Sequence, residues 1–245
     1  MKAFSPPDIP LPLLYHSCRM LRTLEKEVLF LEYLVPPGGV AIDVGANLGL
    51  WTFALSRYFD RVEAFEPQPR CCAYLKHANL RGVNIHPMAL SSCSGERELS
   101  IPSHMGLLIR GMATFCPIDD ACEKINVQAG TMDDFDYRGV SFIKIDVEGH
   151  ESDVLAGARR TIAREKPVMV IEIEQRHLDI PFRRVIDGVV DMGYAAFFLS
   201  GGSLRGLEEF DHEQNQQAYL REKASRFSPL PKKYINNFVF KPVRE

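Results

Sequence analysis

The sequence predicts an α/β fold in which a parallel β-sheet is covered by helices. Strand-like apolar runs alternate with helical patterns along most of the 245 residues, and this alternation is typical of parallel sheets. The run at residues 167–173 is almost continuously apolar, as expected of an interior strand that is buried on both faces. The run at 40–44 ends in a turn bracketed by glycines and leads directly into a helical pattern.

Composition places the chain among ordinary globular proteins. Hydrophobic residues make up 46% and charged residues 25% of the sequence, which are usual values. A net charge of −3 gives no reason to expect a nucleic acid as partner, and no apolar stretch approaches the length that spans a bilayer. The six cysteines show neither a Cys-x-x-Cys pair nor a zinc-binding spacing, and the first residues lack the layout of a signal peptide. We therefore expect a cytoplasmic protein with reduced thiols.

Residues 1–36 are expected to form a preface to a main domain that covers residues 37–245. A proline-rich arm comes first, followed by one amphipathic helix over residues 14–34. Its apolar residues recur at helical spacing, at Leu21, Leu24, Val28 and Leu31. The Pro-Pro-Gly-Gly sequence at 36–39 ends this helix. The helix is predicted to pack on the main domain, although its apolar residues also leave docking on a second copy of the chain, a homo-oligomer, open.

In the main domain, strands and helices follow one another in the order that builds a parallel sheet. Seven strands are predicted, at residues 40–44, 61–65, 83–85, 140–147, 167–173, 194–199 and 237–240. Helices are predicted directly after the fourth strand and at residues 48–58, 69–78 and 181–192. An added hairpin is expected at 95–101. Residues 103–130 show no clear period, and we interpret them as a flexible segment near the site or a surface loop.

Two stretches predict a nucleoside-containing cofactor. Gly45, directly after the first strand, can adopt the positive φ of a tight turn, and its missing Cβ lets another molecule approach the backbone. Glu66 lies 21 residues beyond Gly45, after the second strand, where such folds place a carboxylate against ribose hydroxyls. The alternative is a plain strand–turn–helix in which the glycine serves packing.

The glycine spacing argues against a dinucleotide. The G-x-G-x-x-G fingerprint needs glycines that let a pyrophosphate pack against backbone, but Asn47 and Leu50 occupy the second and third of these positions. The sequence Asp-Val-Gly-Ala-Asn-Leu-Gly at residues 43–49 instead resembles the first motif of class I S-adenosylmethionine-dependent methyltransferases. Asn47 and an adjacent carboxylate suit the ammonium and carboxylate of an amino acid better than a diphosphate. A nicotinamide-dependent oxidoreductase is the less favoured alternative.

Acids at the exits of predicted strands form a second pattern, at Asp43, Glu66, Asp146 and Glu174. The carboxyl ends of parallel strands meet at one edge of a sheet, where ligands bind, so these acids are expected to converge. Each acid alone is equally consistent with a helix N-cap or a solvated residue. Glu148 and Glu151 also fit the positive end of the helix that follows them.

Several stretches together resemble the FkbM-type methyltransferases. They are the motif at 43–49, Phe-Glu-Pro at 65–67, Ala-Leu-Ser at 89–91, Gly-Glu at 95–96 and Lys-Ile-Asp-Val-Glu-Gly-His-Glu at 144–151. The resemblance implies a class I methyltransferase fold of seven strands in the order 3-2-1-4-5-7-6, with strand 7 antiparallel and helices on both faces. It also implies S-adenosylmethionine as cofactor and methylation of a hydroxyl, commonly on a sugar or a polyketide-like natural product.

The resemblance further implies roles for individual residues. The methionine end of the cofactor would be held by Asp43, Gly45 and Asn47. The adenine would be bordered by Ala89 and Leu90. The ribose would bind to Glu66, and the sulfonium would lie beside Asp146.

An attacking alcohol loses its proton, so a base near the sulfonium is expected. His150, just past the fourth strand, is the candidate because histidine titrates near neutral pH. The alternatives are that His150 faces solvent at a helix start and that Asp146 accepts the proton. Asp146, Glu172 or Glu174, and His177 are also residue types that bind metals, but their spacing does not demand a metal and none is predicted. A protein that binds the cofactor without catalysing transfer is a further alternative.

Overall fold

The structure is a computed structural model that describes residues 9–21, 23–104, 107–108, 110–115, 122–221 and 234–243. In chain order the strands are β1 (Val40–Val44), β2 (Arg61–Phe65), β3 (Val83–His86), β4 (Ala89–Leu90), β5 (Gly95–His104), β6 (Leu107–Leu108), β7 (Cys122–Gly130), β8 (Val140–Ile145), β9 (Val168–Glu172), β10 (Tyr194–Ser200), β11 (Ser203–Gly206) and β12 (Asn237–Pro242). The α-helices are α1 (Leu11–Met20), α2 (Lys26–Leu29), α3 (Leu31–Leu34), α4 (Leu50–Ser56), α5 (Pro69–Ala78), α6 (Glu151–Ala156), α7 (Arg159–Glu165), α8 (Phe182–Val190) and α9 (Ala218–Arg221). Short 3₁₀-helices occupy Arg110–Met112, Met132–Phe135, Gln175–His177 and Leu207–Glu209, and a π-helix occupies Glu213–Gln217.

The central sheet has eight strands in the order β3-β2-β1-β8-β9-β12-β10-β11. Every pair from β3 to β9 is parallel, whereas β12 runs antiparallel to both β9 and β10. The predicted order 3-2-1-4-5-7-6, with its last strand antiparallel, is therefore confirmed. The eighth strand, β11, joins through a hairpin whose two loop residues, Gly201 and Gly202, have φ values of 59° and 79°. Two consecutive glycines are a usual signal for such a loop, so this strand was predictable.

Helices cover both faces of the central sheet because its middle strands are apolar on both sides. On one face, Ile42 and Ile143 belong to a cluster with side chains of α6, α7 and α8. On the other face, Ala41 and Phe142 pack with side chains of α1, α2, α3 and α4. All four residues are fully buried.

The single helix predicted over residues 14–34 is wrong, because three short helices, α1, α2 and α3, take its place. The chain turns after α1, and Leu21 is 75% exposed there although helical spacing assigned it to the apolar side. The turn brings the carboxylate of Glu25 to Trp51 and Asn237, whose Nε1 and Nδ2 donate hydrogen bonds of 2.9 and 3.0 Å. Contacts with the core thus outweigh the continuation of one helix.

The hairpin predicted at 95–101 is wrong, because these residues all belong to the single strand β5 of a second sheet, in the order β4-β7-β5-β6. β5 and β7 pair antiparallel from Gly95 opposite Ala129 to Pro102 opposite Cys122. Strand β7 contradicts the interpretation of residues 103–130 as lacking regular structure. Apolar and polar residues alternate from Ile125 to Ala129, and Val127 and Ala129 are buried while Asn126 and Gln128 are exposed. This alternation is typical of a half-buried strand, so a signal for β7 was present in the sequence. Residues 105–106, 109 and 116–121 lie outside the described residues.

None of the helices in the described part of the chain is both long enough and apolar enough to cross a membrane. Residues 1–8, which carry most of the predicted arm, lie outside that part.

Candidate active site

The loop after β1 meets the loop after β8 backbone to backbone. Gly45 has a φ of +84°, and a Cβ at this position would lie only 1.9 Å from the carbonyl oxygen of Asp146. The N–H groups of Gly45 and Ala46 both donate to the carbonyl of Phe65, at 3.0 Å. Glycine is required here because any side chain would push the two loops apart.

Glu66, at the end of β2, is 2% exposed and holds the same loop. Its two carboxylate oxygens accept hydrogen bonds of 2.8 Å from the backbone N–H groups of Asn47 and Gln68. Burial raises the pKa of Glu66 to about 7, although these two hydrogen bonds act in the opposite direction. A carboxylate oxygen can accept two hydrogen bonds, so the carboxylate can also receive hydroxyl groups of a ligand.

An open cavity of about 560 Å³ lies at the carboxyl ends of β1, β2 and β8. Six of the eight residues predicted for the site line it, namely Gly45, Asn47, Glu66, Ala89, Leu90 and Asp146. Apolar side chains form much of the remaining wall, including Phe65, Leu99, Phe115 and Val147.

Asp43 is not among the lining residues. It is 1% exposed, and its carboxylate accepts a hydrogen bond of 2.6 Å from the hydroxyl of Thr52 in α4. Burial raises the pKa of Asp43 to about 6, against the effect of the Thr52 hydrogen bond. The geometry thus places Asp43 beneath the loop, where it ties β1 to α4, and its predicted contact with the cofactor stays a prediction.

His150 also lies outside the cavity lining, and it does not face solvent either, since it is 7% exposed. Its Nε2 is 2.9 Å from the hydroxyl of Ser91, its Nδ1 is 3.4 Å from a carboxylate oxygen of Asp153, and its ring meets Phe115 edge-on at 4.9 Å. Burial lowers the pKa of His150. His150 is therefore packed behind Phe115, which does line the cavity, and its catalytic role stays a prediction.

Beside the cavity, Lys144 is 1% exposed at the centre of a charged group. Its Nζ donates a hydrogen bond of 2.9 Å to Oδ1 of Asn237 and lies 3.6 Å from Glu25 and 3.8 Å from Asp146. Burial lowers the pKa of Lys144, but the surrounding carboxylates outweigh this effect and hold the pKa above its usual range. Carboxylate oxygens of Glu25, Asp146 and Glu172 lie within 4.8 Å of one another. The ammonium of Lys144 supplies a positive charge to this group.

Glu148 also lines the cavity, although the sequence predicts for it only a place at the start of the following helix. It has a φ of +51°, and its carbonyl accepts a hydrogen bond of 2.6 Å from the hydroxyl of Thr114. Its Oε2 lies 3.0 Å from Nε2 of His177. Glu174, the fourth acid predicted at a strand exit, instead pairs with Arg176 and accepts a hydrogen bond from Tyr234. His177 thus lies between two acids, with its Nε2 3.0 Å from the carboxylate of Glu148 and 3.7 Å from that of Glu174.

Residues 43–196 of the chain match the sequence model of the methyltransferase FkbM domain family. The chain belongs to the FkbM methyltransferase family. The predicted family and the predicted cofactor, S-adenosylmethionine, are thus confirmed. No curated protein matches the chain.

Among solved structures, the chain is similar to methyltransferase FkbM from Methylobacillus flagellatus KT. The TM-score is 0.52 and the identity 16%, over 83% of this chain and 43% of that one. The chain thus spans less than half the length of that protein, and the similarity shows a shared fold. A precorrin-6y C5,15-methyltransferase from Geobacter metallireducens GS-15 gives a TM-score of 0.48 at 13% identity, over 89% and 86% of the two chains. A putative methyltransferase from Streptococcus mutans, in complex with SAH, gives 0.46 at 10%, over 88% and 96%.

The chemistry of the cavity residues fits S-adenosylmethionine. Glu66 offers a buried carboxylate to hydroxyl groups, and Phe65, Leu90 and Leu99 offer an apolar wall to a flat ring. Asp146 offers a carboxylate to a cationic group. These three kinds of surface match the ribose, the adenine and the sulfonium of this cofactor.

Proposed function

We propose that the protein transfers the methyl group of S-adenosylmethionine to a hydroxyl oxygen of a small molecule, such as a sugar or a natural product. The proposal is carried by the observation that Glu66 and Asp146 line the same cavity. The buried carboxylate of Glu66 can accept hydrogen bonds from ribose hydroxyls, and the carboxylate of Asp146 can face a cationic group. The bound cofactor supplies a methyl group on an already activated sulfonium. The chain has to align the acceptor oxygen and exclude water.

The proposal assigns a contact with one part of the cofactor to each residue that lines the cavity at a predicted position. Glu66 accepts the ribose hydroxyls, and Gly45 and Asn47 border the methionine end. Ala89 and Leu90 border the adenine. Asp43 supports the loop from below through its hydrogen bond with Thr52, which is consistent with its absence from the cavity wall.

Asp146 is the candidate that lines the cavity and can accept the proton of the attacking hydroxyl. Burial and the neighbouring acids Glu148 and Glu25 raise the pKa of Asp146 well above its usual range, although Lys144 lowers it. A raised pKa suits an acid that takes up a proton near neutral pH. His150 is the second candidate, and it can act only if Phe115 moves from between it and the cavity. The variants Asp146→Asn and His150→Gln distinguish the two.

The experiment has a binding arm and a transfer arm. Calorimetry should give saturable binding of S-adenosylmethionine that Glu66→Gln weakens and Glu123→Gln leaves unchanged, since Glu123 is exposed on β7. Methyl-labelled cofactor is then incubated with a panel of sugars, polyols and phenols, and the product is analysed for an O-methyl group by NMR. Binding without transfer to any acceptor favours a cofactor-binding protein, and transfer to nitrogen or carbon contradicts O-methylation.

A further inference from the structure

We propose that Glu25 sets the preference of the cofactor site for a positively charged ligand, by countering the ammonium of Lys144 beside Asp146. The inference rests on the proposed function, in which Asp146 faces the sulfonium. Glu25 is a positioning residue in this account, because it acts on the ligand through Lys144 and Asp146.

Lys144 is the reason that Asp146 needs a further carboxylate nearby. The ammonium is buried and lies 3.8 Å from the carboxylate of Asp146. A lone ammonium at this distance would offset the negative charge of the Asp146 carboxylate, because charges attract strongly where water is excluded. Asp146 would then offer little to a second cation on its cavity side.

Glu25 is held in a fixed position although its side chain is 33% exposed. Trp51 and Asn237 both donate hydrogen bonds to its Oε2, and Asn237 accepts a hydrogen bond from Lys144 through its Oδ1. One amide thus orients the carboxylate and the ammonium toward each other, at 3.6 Å. The ammonium is shared between Glu25 and Asp146.

The balance of charge follows from this arrangement. Glu25, Asp146 and Glu172 bring three carboxylates within 4.8 Å of one another, and Lys144 brings one ammonium. The group therefore carries net negative charge at the cavity side of β8 and β9 whenever at least two of the three acids are ionised. A ligand with a positive charge relieves the repulsion among these acids, and a neutral ligand does not.

S-adenosylmethionine carries a sulfonium, and S-adenosylhomocysteine, the product left after transfer, carries a neutral thioether in its place. The charged group therefore favours the substrate form over the product form, which speeds exchange after each transfer. Glu25 and Asn237 lie outside the family-matched residues 43–196, so this selectivity comes from segments that flank the shared domain.

The test compares three ligands on four proteins by calorimetry, in buffer with EDTA. The ligands are S-adenosylmethionine, S-adenosylhomocysteine and sinefungin, which carries a protonated amine in place of the methylsulfonium. The proteins are the wild type, Glu25→Gln, Lys144→Met and the matched control Glu32→Gln, which removes an exposed acid of the same N-terminal segment. Thermal unfolding of each protein checks that it is folded.

Glu25→Gln is expected to weaken both charged ligands by about tenfold, the effect of one charge at several ångströms in partly buried surroundings. Binding of S-adenosylhomocysteine should change by less than about twofold. Lys144→Met is expected to increase the preference for the charged ligands, and Glu32→Gln to leave all three unchanged.

If Glu25→Gln weakens the binding of all three ligands equally, its role is merely structural and the inference is overturned. The inference is also overturned if the variant binds all three ligands as the wild type does. If Glu25→Gln does not fold, an unchanged ligand ratio in Lys144→Met overturns it instead. If the wild type binds none of the three ligands, the proposed function fails, and this outcome is distinct from both others.

Discussion

The pH dependence of cofactor binding follows from Glu66. Its pKa is raised to about 7 by burial, and ribose hydroxyls donate to the ionised form. At pH 6 about one Glu66 carboxyl in eleven is ionised and at pH 8 about ten in eleven, so the affinity should rise about tenfold between these values, or about 1.4 kcal/mol. The affinity should level off above pH 8, because the carboxylate is then fully formed.

Glu66→Gln isolates this effect. The amide has about the same shape but no titrating group, and it loses the charged acceptor, which is worth about 1.5–3 kcal/mol. We expect binding at pH 8 to be about 10- to 150-fold weaker than in the wild type. Calorimetry from pH 5.5 to 8.5 should show that the ratio of the two affinities rises through pH 7. The ratio cancels the titration of the ligand and of Asp43, which both proteins share.

A ratio that stays constant across this range would refute the reasoning. Glu66 would then either stay ionised at pH 6 or make no contact with the ribose. Thermal unfolding at each pH is the control, since the backbone N–H groups of Asn47 and Gln68 lose one of their two acceptors in the variant.

Three further predictions concern stability. Gly45→Ala should destabilise the fold by more than the cost of about 1–2 kcal/mol for a left-handed residue, because its Cβ would meet the Asp146 carbonyl at 1.9 Å; Gly188→Ala, with open space around it, is the control in thermal unfolding. Phe142→Ala should cost about 3–5 kcal/mol in urea unfolding, since Phe142 is fully buried; a loss below about 1 kcal/mol would contradict this. Burial raises the pKa of four acids to about 6 or 7, so their unfolded forms ionise at lower pH than the folded ones. The four acids are Glu27, Asp43, Glu66 and Glu151. Their contribution to the stability of the fold is present at low pH and is lost as the pH rises through 6 to 7. A urea unfolding midpoint that increases over this pH range would contradict the prediction.

The strands of the central sheet were predictable because burial on both faces leaves a continuous apolar run. The bounds predicted for β2 and α5, 61–65 and 69–78, agree with the structure. Strand β7 has no continuous apolar run, and only the short alternation from Ile125 to Ala129 marks it as a strand. The irregular residues before this alternation obscured it. The break between α1 and α2 was equally hidden, since apolar spacing continues across it.

Some residues of the candidate site were predictable from the sequence and others were not. Residues that directly follow strands, such as Gly45, Glu66 and Asp146, line the cavity because the carboxyl ends of parallel strands meet there. Asp43 lies inside β1, and the alternation of side chains along a strand turns it toward α4 instead. Glu25 could not be predicted, because no local pattern marks it and only the folded chain brings it to Lys144.

The chain has a single tryptophan, and Trp51 lies against the charged group beside the cavity. Its indole N–H donates to Glu25, its ring stacks on Phe142 at 6.0 Å, and the ammonium of Lys144 lies 5.5 Å from its ring centre. Indole fluorescence responds to nearby charge and to hydrogen bonding of the N–H group. The emission spectrum of the unlabelled protein therefore reports on the surroundings of Trp51. It should respond to the charge of a bound ligand, to the protonation of the nearby acids and to the packing of the N-terminal segment.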